Sequence, residues 1–117
     1  MNWKEGIKMP SYNVVITKPA QRDLLDIFDY ITFELREPES ASRLLSKIKL
    51  KIKSLEDFPE RNSIISEPKY ETQKIGWCPV ENYVIFYQAS KHKAQVYILR
   101  ILYKKRNWEH LLSPGNQ

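Results

Sequence analysis

The stretch from Val80 to Arg106 constrains this 117-residue chain most. Two runs rich in β-branched and aromatic residues, Val80 to Ser90 and Ala94 to Tyr103, flank the short polar segment Lys91-His92-Lys93. That pattern predicts a β-hairpin, because such side chains pack well on a pleated, half-buried surface. The turn lacks the Asn-Gly or Asp-Gly pair that would select a two-residue connection. The second strand runs straight into a basic cluster, Lys104-Lys105-Arg106.

The rest of the chain reads as the layer the hairpin packs against. Tyr12 to Thr17 is a short strand, with Val14-Val15-Ile16 continuous enough for partial burial on both faces. Pro19 then suits a first helical turn, where a missing N–H is harmless. Ala20, Leu24, Ile27, Phe28, Ile31 and Leu35 recur at helical spacing and form one apolar stripe. Asp23, Asp26 and Asp29 lie off it, as a solvated acidic face. Arg36-Glu37-Pro38 ends this helix, since a residue before proline avoids the α region. A second helix runs from Ser40 to Asp57, with Leu44, Leu45, Ile48, Ile52 and Leu55 inward. Its lysines and apolar residues alternate from Lys47 to Lys53, as in a strand. The absence of Gly and Pro over that length decides for helix. Pro59 to Tyr70 reads as a polar loop interrupted by Ile64-Ile65. Thr72 to Trp77 is a strand ended by Cys78-Pro79, and Asn107 to Leu112 a last helical turn.

This order gives an α+β domain, an antiparallel helical hairpin packed on one face of a small, mostly antiparallel sheet. Residues 1–11 form a flexible extension, 12–112 one domain and 113–117 a tail. In the last strand, Tyr97, Leu99, Ile101 and Tyr103 fall on the helix-packed face. Val96, Ile98, Arg100 and Leu102 fall on the open one, where Arg100 is a lone charge in need of a partner.

Composition excludes several functions. No run approaches the roughly 18 apolar residues of a membrane span, and the start has no signal-peptide core, so the cytoplasm is expected. A single cysteine, Cys78, excludes an internal disulfide framework. His92 and His110 stand apart, with no metal-ligand spacing, and no glycine-rich phosphate loop or nucleophile elbow occurs, so no metal or cofactor is expected. Charge is +5 and segregated. Asp23 to Glu39 holds six acidic residues and one basic, whereas Lys91 to Arg106 holds six basic and no acidic ones. A basic end with tyrosines suits an anionic partner, nucleic acid or an acidic protein. It also suits metal-free RNA cleavage, in which the 2′-hydroxyl attacks and the protein supplies a proton donor and a cation. Tyr103 or His110 would be the donor, Arg100 or Lys105 the cation.

From Tyr12 to Leu112 the chain resembles the RelE/ParE superfamily of toxins from type II toxin–antitoxin modules. The resemblance rests on the opening strand followed by Lys18-Pro19-Ala20-Gln21-Arg22-Asp23-Leu24, on Ile27-Phe28-Asp29-Tyr30-Ile31, and on Phe58-Pro59 after the second helix. Most specific are Tyr83-Val84-Ile85-Phe86-Tyr87 and Val96-Tyr97-Ile98-Leu99-Arg100-Ile101-Leu102-Tyr103. It implies a growth-inhibiting toxin with a plasmid-stabilisation role, held silent by a cognate antitoxin in a hetero-oligomer. The target is DNA gyrase in the ParE-like branch, or mRNA on the ribosome in the RelE-like branch. Val84 stands where the RelE-like pattern places an arginine after the aromatic that opens the penultimate strand. The lean is therefore to ParE-like gyrase inhibition. A RelE-like ribosome-dependent endonuclease is the alternative, and an inactive basic binding domain a third reading. On this view Arg100, Tyr103, Lys104, Lys105 and Arg106 bind the target. Ile98, Arg100 and Leu102, on the open face, bind the antitoxin, since an apolar groove rimmed by charge suits an amphipathic helix.

Overall fold

The computed structural model describes residues 11–57, 59, 63–64 and 74–106. The expected N-terminal extension, last helical turn and C-terminal tail lie outside them. Strand β1 (Asn13–Ile16) leads through Thr17 into helix α1 (Lys18–Asp29). The Thr17 hydroxyl accepts from the Ala20 N–H at 3.4 Å and donates to the Ile98 carbonyl at 2.6 Å. It thereby caps the helix and ties its start to the sheet. The helix continues as a π-helical segment, Tyr30–Glu34, closed by the Leu35 N–H on the Tyr30 carbonyl at 3.0 Å. Arg36 turns the chain at φ 57°, in the left-handed region. Helix α2 (Pro38–Ser54) starts on a proline, as a first turn tolerates. β2 (Ser63–Ile64), β3 (Gly76–Val80), β4 (Tyr83–Ser90) and β5 (Gln95–Tyr103) complete the domain.

The result is the expected α+β architecture, two helices on a mixed sheet of order β1-β5-β4-β3-β2. β1 runs parallel to β5, and the other pairs are antiparallel. The helices contribute Ala20, Ile31, Ala41, Leu44, Ile48, Ile52 and Leu55 to the core, against Ile85, Tyr87, Val96, Ile98 and Ile101. A second buried cluster holds Ile75, Val84, Phe86 and Leu102, and Trp77 and Leu99 pack on it.

Three sequence expectations need correction. The segment read as a polar loop holds the two-residue strand β2, paired to Gly76 and Trp77. β3 runs through Cys78-Pro79 instead of ending there. Among the described residues β2 pairs only with Gly76 and Trp77, so no described strand pairs with Pro79 on that side and its missing N–H breaks no pairing there. The faces of β5 differ from strict alternation. Phe86 pairs with Arg100 but Tyr87 pairs with Ile98, so Leu99 is an extra residue in a β-bulge. One extra residue exchanges the two faces. Ile101 faces the helices and Leu102 lies in the second cluster, as expected, but Val96 and Ile98 lie in the helix-packed core and Leu99 in the second cluster.

Candidate functional site

Arg100 is not a bare charge on an open face. Its Nε donates to Asp23 Oδ2 at 2.7 Å and its Nη2 to Oδ1 at 2.9 Å. The Ile101 N–H donates to the same Asp23 Oδ2 at 2.9 Å. Asp23, expected to face solvent with Asp26 and Asp29, is buried. It sits between Ala20 and Ile27 at i+3 and i−4, on the stripe itself, so its carboxylate is aimed at the sheet. The bulge then turns Arg100 towards it. The hydrogen bonds to Asp23 raise the Arg100 pKa against the opposing effect of burial, with the Asp23 and Asp26 charges adding to the rise. The guanidinium is therefore a fixed, neutralised charge.

Beside this pair lies a groove of about 860 Å³. One wall is α1 and the π-helical segment, with Asp26, Ile27 and Tyr30. Another is α2, with Arg43 and Lys47, and the third is Tyr83 with the end of β5, where Tyr103 stands. Tyr30 and Tyr103 are about half exposed, and Leu35, also in the lining, is exposed to a similar degree. The rings of Tyr83 and Tyr103 meet edge-on, with centroids 5.6 Å apart. Burial pushes the Tyr83 pKa up, and the neighbouring Tyr103 and Tyr30 push it further. Lys47 reaches across to Glu81 in the β3–β4 turn at 3.2 Å, an exposed ion pair between α2 and the sheet.

The charge around the groove is balanced. Four carboxylates line it (Asp23, Asp26, Glu37 and Glu81) against three cations (Arg43, Lys47 and Arg106). Such a lining gives a polyanion no net attraction, whereas tyrosines and leucines with scattered charges suit a protein segment.

The residues singled out in the sequence fall in different places. Tyr103 and Arg106 line the groove, and Lys104 and Lys105 are exposed in the turn after β5. The Lys104 N–H on the Asn82 carbonyl at 2.8 Å holds that turn. Ile98 is fully buried among the helices, and Leu102 is buried in the second cluster. With Arg100 bound to Asp23, the apolar open face expected from these three residues is not a surface. The bulge at Leu99 separates them. His110 lies outside the described residues. Among the described residues no group of three His, Cys, Asp or Glu is placed to hold a metal, and no helix is long and apolar enough to cross a membrane.

The sequence over residues 14–108 matches the family described as ParE toxin of type II toxin-antitoxin system, parDE. The chain belongs to the ParE toxin family. No curated protein matches it in sequence. Among solved structures it is similar to a chain of the chromosomal ParDE toxin–antitoxin system from P. aeruginosa, at 20% identity and a TM-score of 0.64, over 80% of this chain and 96% of that one. It is also similar to a chain of the toxin–antitoxin complex RelBE2 from Mycobacterium tuberculosis, at 19% identity and a TM-score of 0.56, over 80% and 98%. At these identities the structural likeness shows the fold alone. In this ParE-family chain, sequence reasoning missed Asp23, Tyr30, Arg43, Lys47, Glu81 and Tyr83 as parts of the site. Only Asp23 carried a legible signal, its position inside the apolar stripe opposite a strand with a lone arginine.

Proposed function

We propose that this ParE-family toxin inhibits growth by docking on DNA gyrase, and that a cognate antitoxin neutralises it in a hetero-oligomer. The observation that carries this reading is the groove, with its tyrosine walls and balanced charge. It favours a protein segment over an RNA strand, whose phosphates would meet four carboxylates against three cations. The pairing of Arg100 with Asp23 supports the same reading, because it removes one of the two candidate cations for RNA cleavage. An antitoxin partner is supported by the family match and by two similar chains that come from toxin–antitoxin systems. An amphipathic antitoxin segment would seat its apolar side chains against Tyr30, Tyr83 and Tyr103, over a floor backed by Leu102 and the Asp23–Arg100 pair. Ile98 stays in the core beneath. The Tyr103 end of the groove and the exposed turn Lys104-Lys105-Arg106 beside it form the contact for gyrase, so the antitoxin covers the surface the target needs.

That same basic turn next to an exposed tyrosine is what favours the second reading, a ribosome-dependent mRNA endonuclease with Tyr103 and Lys105 as donor and cation. Inducing the chain alone in a bacterium separates the two. DNA-damage signalling with intact mRNA supports gyrase inhibition. New mRNA ends within minutes, without damage signalling, support the endonuclease and refute the gyrase reading.

A further inference from the structure

We infer that Asp23 is the positioning residue of the groove, setting the separation of its walls through Arg100 and Ile101 without being the group a partner contacts most. The inference rests on the reading that the groove is a docking surface.

β1 ends at Ile16, opposite Ile98, so among the described residues β5 has no strand neighbour on that side from Leu99 onward. α1 takes the vacant place. Two polar ties hold it there. Thr17 bonds the Ile98 carbonyl at the helix start, and six residues on, Asp23 accepts three N–H groups from Arg100 and Ile101. Six helical residues span about 9 Å, so the two ties fix both the position and the tilt of α1 on β5. Apolar packing alone is non-directional and would leave that tilt loose. A bidentate carboxylate–guanidinium pair is directional and tolerates little sliding.

What the ties fix is the groove. The residues that follow Asp23, Asp26 on α1 and Tyr30 in the π-helical segment, form one wall, and the residues that follow Ile101 on β5, chiefly Tyr103, form the facing one. Both walls are extensions of the clamped segments, so a change of tilt at Asp23 grows along the helix towards Tyr30. Asp23 itself is almost enclosed, with 8% of its side chain accessible, and offers a partner little surface.

The test uses the full chain and separates positioning from stability. Asp23→Asn keeps an acceptor for the Ile101 N–H but strands the arginine charge. Asp23→Asn combined with Arg100→Met removes both charges and keeps the acceptor, a replacement that tends to restore stability. Labels on Phe33→Cys and Lys105→Cys, both at exposed positions, report the wall separation by electron spin resonance. In the parent background the distance distribution is narrow. In the double variant, the thermal midpoint returns to within about 5 °C while the distribution broadens or shifts. Inhibition of gyrase supercoiling by that folded double variant falls about tenfold or more. A double variant that recovers the narrow distribution and full inhibition along with its stability overturns the inference. If the parent chain does not inhibit gyrase, the gyrase reading fails, and the label distances alone decide the positioning role.

Discussion

Asp23 and Arg100, 77 positions apart, join helix α1 to strand β5 through two hydrogen bonds of 2.7 and 2.9 Å. The same carboxylate accepts the Ile101 N–H. Replacing Asp23 by alanine leaves a largely buried guanidinium unpaired and a backbone donor unmet. The expected loss is about 3 to 5 kcal/mol of unfolding free energy, read from denaturant midpoints. A loss below 1 kcal/mol would mean that water reaches Arg100 readily.

Gly76 is the second sensitive point. A Cβ there would lie 2.5 Å from the Tyr87 ring, and that ring cannot withdraw, because its hydroxyl donates to the buried Pro59 carbonyl. Gly76→Ala is expected to destabilise by about 1 to 3 kcal/mol. Adding Tyr87→Ala on this background relieves the clash, so a double-mutant cycle gives a total loss smaller than the sum of the two single losses. Strict additivity would place the clash elsewhere.

How much of this was visible in the sequence differs by element. The hairpin, both helices and the α+β order were legible, because β-branched runs and helical spacing report burial directly. The faces of β5 were not, because alternation assumes an unbroken pleat and nothing in Ile98-Leu99-Arg100 announces a bulge. The lone charge of Arg100 did announce a missing partner, but its partner was hidden. Asp23 shares its neighbourhood with two solvent-facing aspartates, Asp26 and Asp29, and charge counting treats the three alike. Pro79 misled for a similar reason. A proline ends a central strand but not an edge, and the edge depends on how short β2 is.

Tyr83 gives a pH signature. Its pKa is raised in the folded state, so the folded protein holds that proton more tightly than the unfolded chain does. Its contribution to stability is complete below the unfolded value of about 10 and is lost as pH rises through the folded value. Stability should therefore fall more steeply above pH 10 in the parent than in Tyr83→Phe. Equal alkaline slopes would show that Tyr83 ionises as freely as in the unfolded chain.

Tyr103 and Arg106 test the docking surface with little risk to folding, since both are accessible. Tyr103→Ala loses its edge-on contact with Tyr83, an expected cost of about 0.5 to 1.5 kcal/mol. Arg106→Glu, in the exposed turn, is expected to change stability by less than about 0.5 kcal/mol. Growth arrest on induction should weaken in both variants at matched protein levels. Undiminished arrest in both would remove this end of the groove from the target surface.

The central claim is that the chain acts by binding a protein target and not by cutting RNA. The most direct measurement adds the purified chain to purified DNA gyrase and follows supercoiling of relaxed plasmid, with a parallel incubation of the chain and translating ribosomes on a defined mRNA. Dose-dependent loss of supercoiling with uncut mRNA is the expected result. Uninhibited supercoiling with mRNA cleaved on the ribosome would contradict the claim and assign Tyr103 and Lys105 to RNA chemistry.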